Sequence, residues 1–115
     1  MKRGEVWLVN LNPSRGTEPG KVRPVLVIQS DGLNDQQHPS TVILPLSTRL
    51  ADDPAAAPLR LRLPARERLE SDSEILLDQV RALDNRRFLE GPLTHLTPAE
   101  LAQVDRRLRA VLGMP

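Results

Sequence analysis

Pro24 to Ile28 (PVLVI) is a run of five apolar residues, bounded by Arg23 on one side and by Gln29 and Ser30 on the other. The run is too short for a confident helix and rich in β-branched types, so Arg23 to Ser30 reads as a strand. Its apolar residues carry no alternation, which is the pattern of a central strand covered on both faces. The rest of the chain must therefore supply neighbouring strands and something to pack over the sheet.

Several segments meet that need. Glu5 to Leu11 (EVWLVNL) is rich in strand formers and is followed by a Pro/Gly stretch. Thr41 to Ser47 (TVILPLS) is a further strand, with Pro45 confining that end to an edge, a bulge or a bend. Leu59 to Leu63 (LRLRL) alternates strictly, as a half-exposed strand does. Ala65 to Asp72 is charged and is expected to form a helical turn. Glu74 to Leu83 (EILLDQVRAL) fits either a strand kinked near Asp78 or a short helix, and the lack of a cap favours the strand. Thr97-Pro98-Ala99-Glu100 is a capping box with proline at the first helical position. Leu101, Val104, Leu108 and Val111 then fall on one helical face, and Gly113 ends the helix. The fold class is mainly β with a C-terminal helix: a small, strongly bent sheet that the helix seals at one face or end. Residues 1–115 read as one domain.

The chain has no cysteine, which removes disulfides, thiolate metal sites and a thiol nucleophile together, and fits an intracellular compartment. No apolar run approaches the roughly 18 residues of a membrane span, and the N-terminus does not read as a signal peptide, so a soluble, cytoplasmic protein is expected. Sixteen Lys and Arg against fifteen Asp and Glu leave a net charge of +1, so any nucleic-acid site must be a local patch. Trp7 and Phe88 are the only aromatics, too few for modules that stack bases on aromatic platforms. A domain of this size buries only roughly two thirds of the surface of its unfolded chain, which leaves apolar area for a second subunit.

The connection from Asn12 to Val22 is long for a link between strands and contains Arg15, Glu18 and Lys21. It is either a solvated loop or a functional one that meets phosphate and handles a proton. Arg23 precedes Pro24, which drives it into an extended conformation at the mouth of the buried strand, suited to phosphate or to a structural ion pair. Ser47 and Thr48 offer hydroxyls at a strand end, for a phosphate oxygen or for capping a turn. Asp78 and Gln79, set among apolar residues, must find partners or face a cleft. His38 and His95 read as surface loop residues, and with no HExxH, P-loop or GxGxxG pattern neither metal nor nucleotide cofactor is expected.

Five ordered blocks resemble the MazF/PemK toxins: Lys2 to Trp7, Gly16-Thr17-Glu18, Val22 to Gln29, Ile75 to Arg81, and Leu93 to Leu96. The resemblance covers nearly the whole chain. It implies an SH3-like barrel of the CcdB/MazF type, a homodimer, and a site at the dimer face covered by the first loop. It further implies a metal-independent endoribonuclease of a toxin–antitoxin module that cuts single-stranded mRNA. In that reaction the 2′-hydroxyl attacks, leaving 2′,3′-cyclic phosphate and 5′-hydroxyl ends. A MazE-like antitoxin with an extended acidic segment would occupy the RNA groove. Arg23 falls on the family's catalytic arginine, and Ser47 on its catalytic threonine by spacing from Pro45, with Thr48 as the alternative register. Glu18 is the competing proton acceptor, and Arg15, Thr17, Glu18, Lys21, Asp78 and Gln79 are the residues expected to meet RNA. Pro19 and Ser47 depart from the family pattern. The competing reading is a non-enzymatic CcdB-like toxin that binds a topoisomerase; a plain RNA-binding module ranks third.

Overall fold

The computed structural model describes residues 1–12, 16–17 and 21–115. Seven strands are present among the described residues: β1 (Glu5–Asn10), β2 (Val22–Val27), β3 (Ser40–Ser47), β4 (Arg60–Leu63), β5 (Ser73–Leu76), β6 (Arg81–Asp84) and β7 (Phe88–His95). They form one antiparallel sheet in the order β4-β5-β3-β2-β1-β7, with β6 also paired to β3. A short helix α1 (Asp31–Asp35) links β2 to β3, and α2 (Pro98–Leu112) ends the chain.

The strand ladder is not closed, yet its two ends are brought together. Between β4 and β5 the chain turns at Glu67 (φ 51°), with Leu69 N–H donating to Arg66 O at 2.9 Å and Arg66 N–H to Leu69 O at 3.0 Å. From that turn Arg68 N–H donates to Leu93 O of β7 at 3.0 Å, and Leu69 is buried. The expected helical turn over Ala65 to Asp72 is thus a tight extended turn instead. Its backbone donors are spent across the barrel gap rather than along a helix.

Pro45 sits inside a central strand, which its missing N–H should forbid. The register resolves this. Ile28 N–H donates to Val42 O at 3.1 Å, so Val42 turns its main chain toward β2. By alternation Ile43, Pro45 and Ser47 address the other side. There β3 changes partner, from β6 up to Ile43 (opposite Arg81) to β5 from Leu46 (opposite Ile75). The proline occupies the break, where no donor is needed. The segment Glu74 to Leu83 follows the same break: it is two strands, with Leu77 to Val80 bulging out between them.

The core has two parts. Val6, Leu26, Leu44, Leu46, Leu63, Ile75, Leu93 and Val104 pack inside the curled sheet. Val9, Leu11, Val25, Ile43 and Leu83 form a second cluster with Trp7 and Phe88 leaning on it. Odd and even positions of β1, β2 and β3 divide between the two, as a strand buried on both faces requires. Leu101, Val104, Leu108 and Val111 of α2 close the inner core as their spacing indicated. The capping box is formed, with Glu100 N–H donating to Thr97 Oγ1 at 3.2 Å and Thr97 N–H to Glu100 Oε1 at 2.8 Å. Gly113 takes the left-handed cap at φ 68°.

Candidate functional site

Val9 pairs with Arg23 and Trp7 with Val25, so Arg23 lies on the outer face of the sheet with the second apolar cluster. The β2–β3 register, Val25 opposite Pro45, places Arg23 opposite Ser47 when carried two residues further. Ser47 in turn pairs with Glu74, and Glu74 with Arg62. One row across four strands therefore reads Arg23, Ser47, Glu74, Arg62, at the end of the sheet beside the first loop. Arg23 and Ser47 are both half-buried. Ser47 Oγ accepts from Arg49 N–H at 3.1 Å, which leaves its own O–H able to donate to a bound group.

Thr48 reaches the same end from the other side. It lines a cleft of about 220 Å³ with Lys21, Arg23, Pro24, Leu46 and Ser73, and an adjoining one of about 260 Å³ whose walls include Leu8, Leu69 and Leu93. Those neighbours belong to the inner core, so Thr48 sits on the side of Leu46. Ser47 falls on Arg23's face by strand register, while Thr48 lines the same cleft as Arg23.

The first loop is tied shut at its root. Leu11 N–H donates to Lys21 O at 2.8 Å, and Lys21 N–H to Asn12 Oδ1 at 2.6 Å. Arg87 Nη1 donates to Asn10 O at 3.1 Å and to Asn12 O at 2.6 Å. Lys21 is exposed, with φ 69°, and Thr17 is exposed. Arg15, Glu18 and Pro19 lie outside the described residues. Asp78 (exposed) and Gln79 (half-buried) fall in the connection between β5 and β6.

Two carboxylates that the sequence did not single out are buried, Glu74 beside Ser47 and Glu5 at the opposite end of β1. Glu74 accepts from Ala51 N–H at 2.8 Å, Arg60 at 3.2 Å and Arg62 at 3.3 Å. Burial alone would raise its pKa, but these donors outweigh it and hold the carboxyl below the usual range. Glu5 accepts from Trp7 Nε1 at 2.9 Å and Lys2 N–H at 2.8 Å, with His95 Nε2 at 3.3 Å from its other oxygen. Its carboxyl too lies below the usual range: burial raises it, and the Trp7, Lys2 and His95 contacts together prevail. His95 is therefore not a loop residue; it ends β7 opposite Glu5, with its ring largely exposed. His38 is exposed in the turn after α1. No three His, Cys, Asp or Glu side chains gather in metal-binding proximity among the described residues. No helix there is long and apolar enough to cross a membrane.

The fold is shared with known proteins. The MazF of Deinococcus radiodurans is 27% identical and superposes with a TM-score of 0.80, over 99% of this chain and 97% of that one. MazF in a MazE–MazF structure from the same organism is 27% identical with a TM-score of 0.76, over 100% and 97%. An endoribonuclease in complex with its cognate antitoxin, from a mycobacterial species, shares the fold at 19% identity, with a TM-score of 0.76 over 100% and 97%. The family model of the PemK-like, MazF-like toxins matches residues 2–112, nearly the entire chain. With the strand order, the Arg-Pro strand and the C-terminal helix all in place, the chain belongs to the PemK-like, MazF-like toxins of type II toxin–antitoxin systems.

Proposed function

We propose that this toxin is a metal-independent endoribonuclease of single-stranded mRNA. The observation that supports the reading is that strand register, carried two residues past the Val25–Pro45 pair, brings Arg23 of β2 and Ser47 of β3 onto one face near the root of the first loop. The 2′-oxygen attacks the adjacent phosphorus, its proton passes to a base, and the bond to the 5′-oxygen breaks as that oxygen takes up a proton. The products are a 2′,3′-cyclic phosphate and a 5′-hydroxyl. The Arg23 guanidinium offsets charge on the crowded phosphate. The Ser47 hydroxyl donates to a phosphate oxygen, and Thr48 is the alternative donor. Glu18 is assigned as the proton acceptor. Arg15, Thr17 and Lys21 dock the RNA backbone, and Asp78 and Gln79 contact a neighbouring nucleotide.

The protein works as a single domain and a homodimer in the cytoplasm. The outer apolar cluster supports the dimer, since Leu89, next in the chain to Phe88 of that cluster, is 55% exposed. The relative from D. radiodurans is found with MazE. By that likeness a MazE-like antitoxin, through an acidic segment, covers the Arg23 and Lys21 end. The test is pure protein with a long single-stranded RNA in excess chelator, followed by end-group mapping. Cleavage that stops with chelator refutes the metal-free route. Topoisomerase inhibition with intact RNA refutes the nuclease reading.

A further inference from the structure

The chain leaving β3 carries the Ser47 hydroxyl, and one buried carboxylate holds it in place. Glu74 is only 6% exposed and lies directly opposite Ser47 in the β3–β5 pair. Its Oε1 accepts from Ala51 N–H at 2.8 Å and from Arg60 Nη1 at 3.2 Å. The same Arg60 nitrogen donates to Arg49 O at 3.1 Å, while Arg49 N–H donates to Ser47 Oγ at 3.1 Å. The turn is therefore fixed at Ser47, Arg49 and Ala51, and each tie leads back to Glu74 or Arg60. A carboxylate that merely offset Arg60 and Arg62 would have no reason to engage the Ala51 amide.

We propose that Glu74 is a positioning residue which, with Arg60, fixes the Ser47–Ala51 turn so that the Ser47 hydroxyl stands beside Arg23. The proposal rests on the nuclease reading and extends it beyond the residues that touch RNA. Glu74 is not itself the proton acceptor: its hydrogen bonds keep the carboxyl ionised and occupied on both oxygens. Hydroxyl placement matters because a misplacement of about 1 Å at a reacting group costs up to about a hundredfold in rate.

The test compares the full chain with Glu74→Gln, Arg60→Ala, Ser47→Ala and the Glu74→Gln/Ser47→Ala double variant. Three quantities are read: single-turnover cleavage at saturating RNA, KM, and amide hydrogen exchange. Glu74→Gln keeps the volume and one acceptor oxygen but loses the charge. It is expected to slow single turnover by about ten- to a hundredfold with KM changed by less than about twofold. Exchange at Arg49 and Ala51 should quicken while Leu26 and Val104, in the core, stay protected. In the Ser47→Ala background the same change should have little further effect on rate, because its route through the hydroxyl is already gone. Arg60→Ala, which leaves Glu74 in place with Arg62, should show a smaller loss of the same kind and serves where Glu74→Gln does not fold. A wild-type rate in both variants, or losses that multiply in the double variant, overturns the proposal. A wild type that cuts no RNA removes the nuclease reading; unchanged exchange at Arg49 and Ala51 removes the positioning role, so the two failures read out separately.

Discussion

Arg66 ties the gap-spanning turn to the helix, and its removal should cost more at neutral pH than in acid. Its guanidinium donates to both oxygens of Glu100, at 2.8 and 2.7 Å, and to His95 O at 2.7 Å. Both side chains of the pair are 26% exposed. A fully exposed pair contributes about 0.2–1 kcal/mol, and breaking a fully buried one costs about 3–5 kcal/mol. The bidentate geometry and quarter exposure place Arg66→Ala between these, at about 2 kcal/mol. For a domain of this length that is about 8 °C in Tm. Glu100 has its pKa lowered, with the Arg66 hydrogen bond as the main cause. The folded value is below the unfolded one, so the stabilisation is complete above the unfolded value of about 4.3 and fades as pH falls through the folded one. Arg66 remains charged throughout. Glu100→Gln should reproduce the loss at pH 7 while keeping an oxygen for Thr97 N–H, so the cap survives. Thermal or denaturant unfolding followed by circular dichroism, at one protein concentration at pH 7 and pH 3, measures this. A difference between wild type and Arg66→Ala below about 0.5 kcal/mol at pH 7 would refute the reasoning, as would one that stays undiminished at pH 3.

Arg23→Ala should lower the single-turnover rate by about a hundredfold or more, as losses of transition-state charge stabilisers do; weakened binding with an unchanged rate at saturation would make Arg23 a docking residue. Ser47→Ala should impair turnover while Ser47→Thr keeps or raises it by restricting the rotamer, and Thr48→Ala should matter much less. A reversed outcome in the same assay would move the hydroxyl role by one residue. Sedimentation at micromolar concentration should show a dimer, and Leu89→Glu should weaken it by burying a charge in the apolar outer face; a monomer across that range refutes the interface.

The parts of this fold that could be read in the sequence are those whose signal is local. The apolar run after Arg23 declares a strand with both faces covered, and Thr97 to Glu100 declares a helix start. β7 gave no such sign, because Phe88–His95 carries Gly91 and Pro92 and leaves Leu89 and Glu90 exposed. Its pairing with β1 shifts register twice, so neither alternation nor a continuous apolar stripe survives. α1 has five residues and none buried; it exists because Ser30 Oγ accepts from Gly32 N–H at 3.1 Å and Asn34 bonds back to Gln29 and Asp31. At the candidate site, Arg23 and Ser47 were visible one at a time, but their adjacency follows only from the strand register. Glu74 was passed over for a similar reason: Arg60 and Arg62, its partners, are 14 and 12 residues away in the chain.

The closed root of the first loop has a consequence for how such toxins diverge. Its four hydrogen bonds seal β1 and β2 against the loop, using the main chain of Asn10, Leu11, Asn12 and Lys21 with the side chains of Asn12 and Arg87. A change at Asn12 or Arg87 therefore loosens the root of the loop whatever sequence the loop carries, so these two residues constrain divergence of the loop from below.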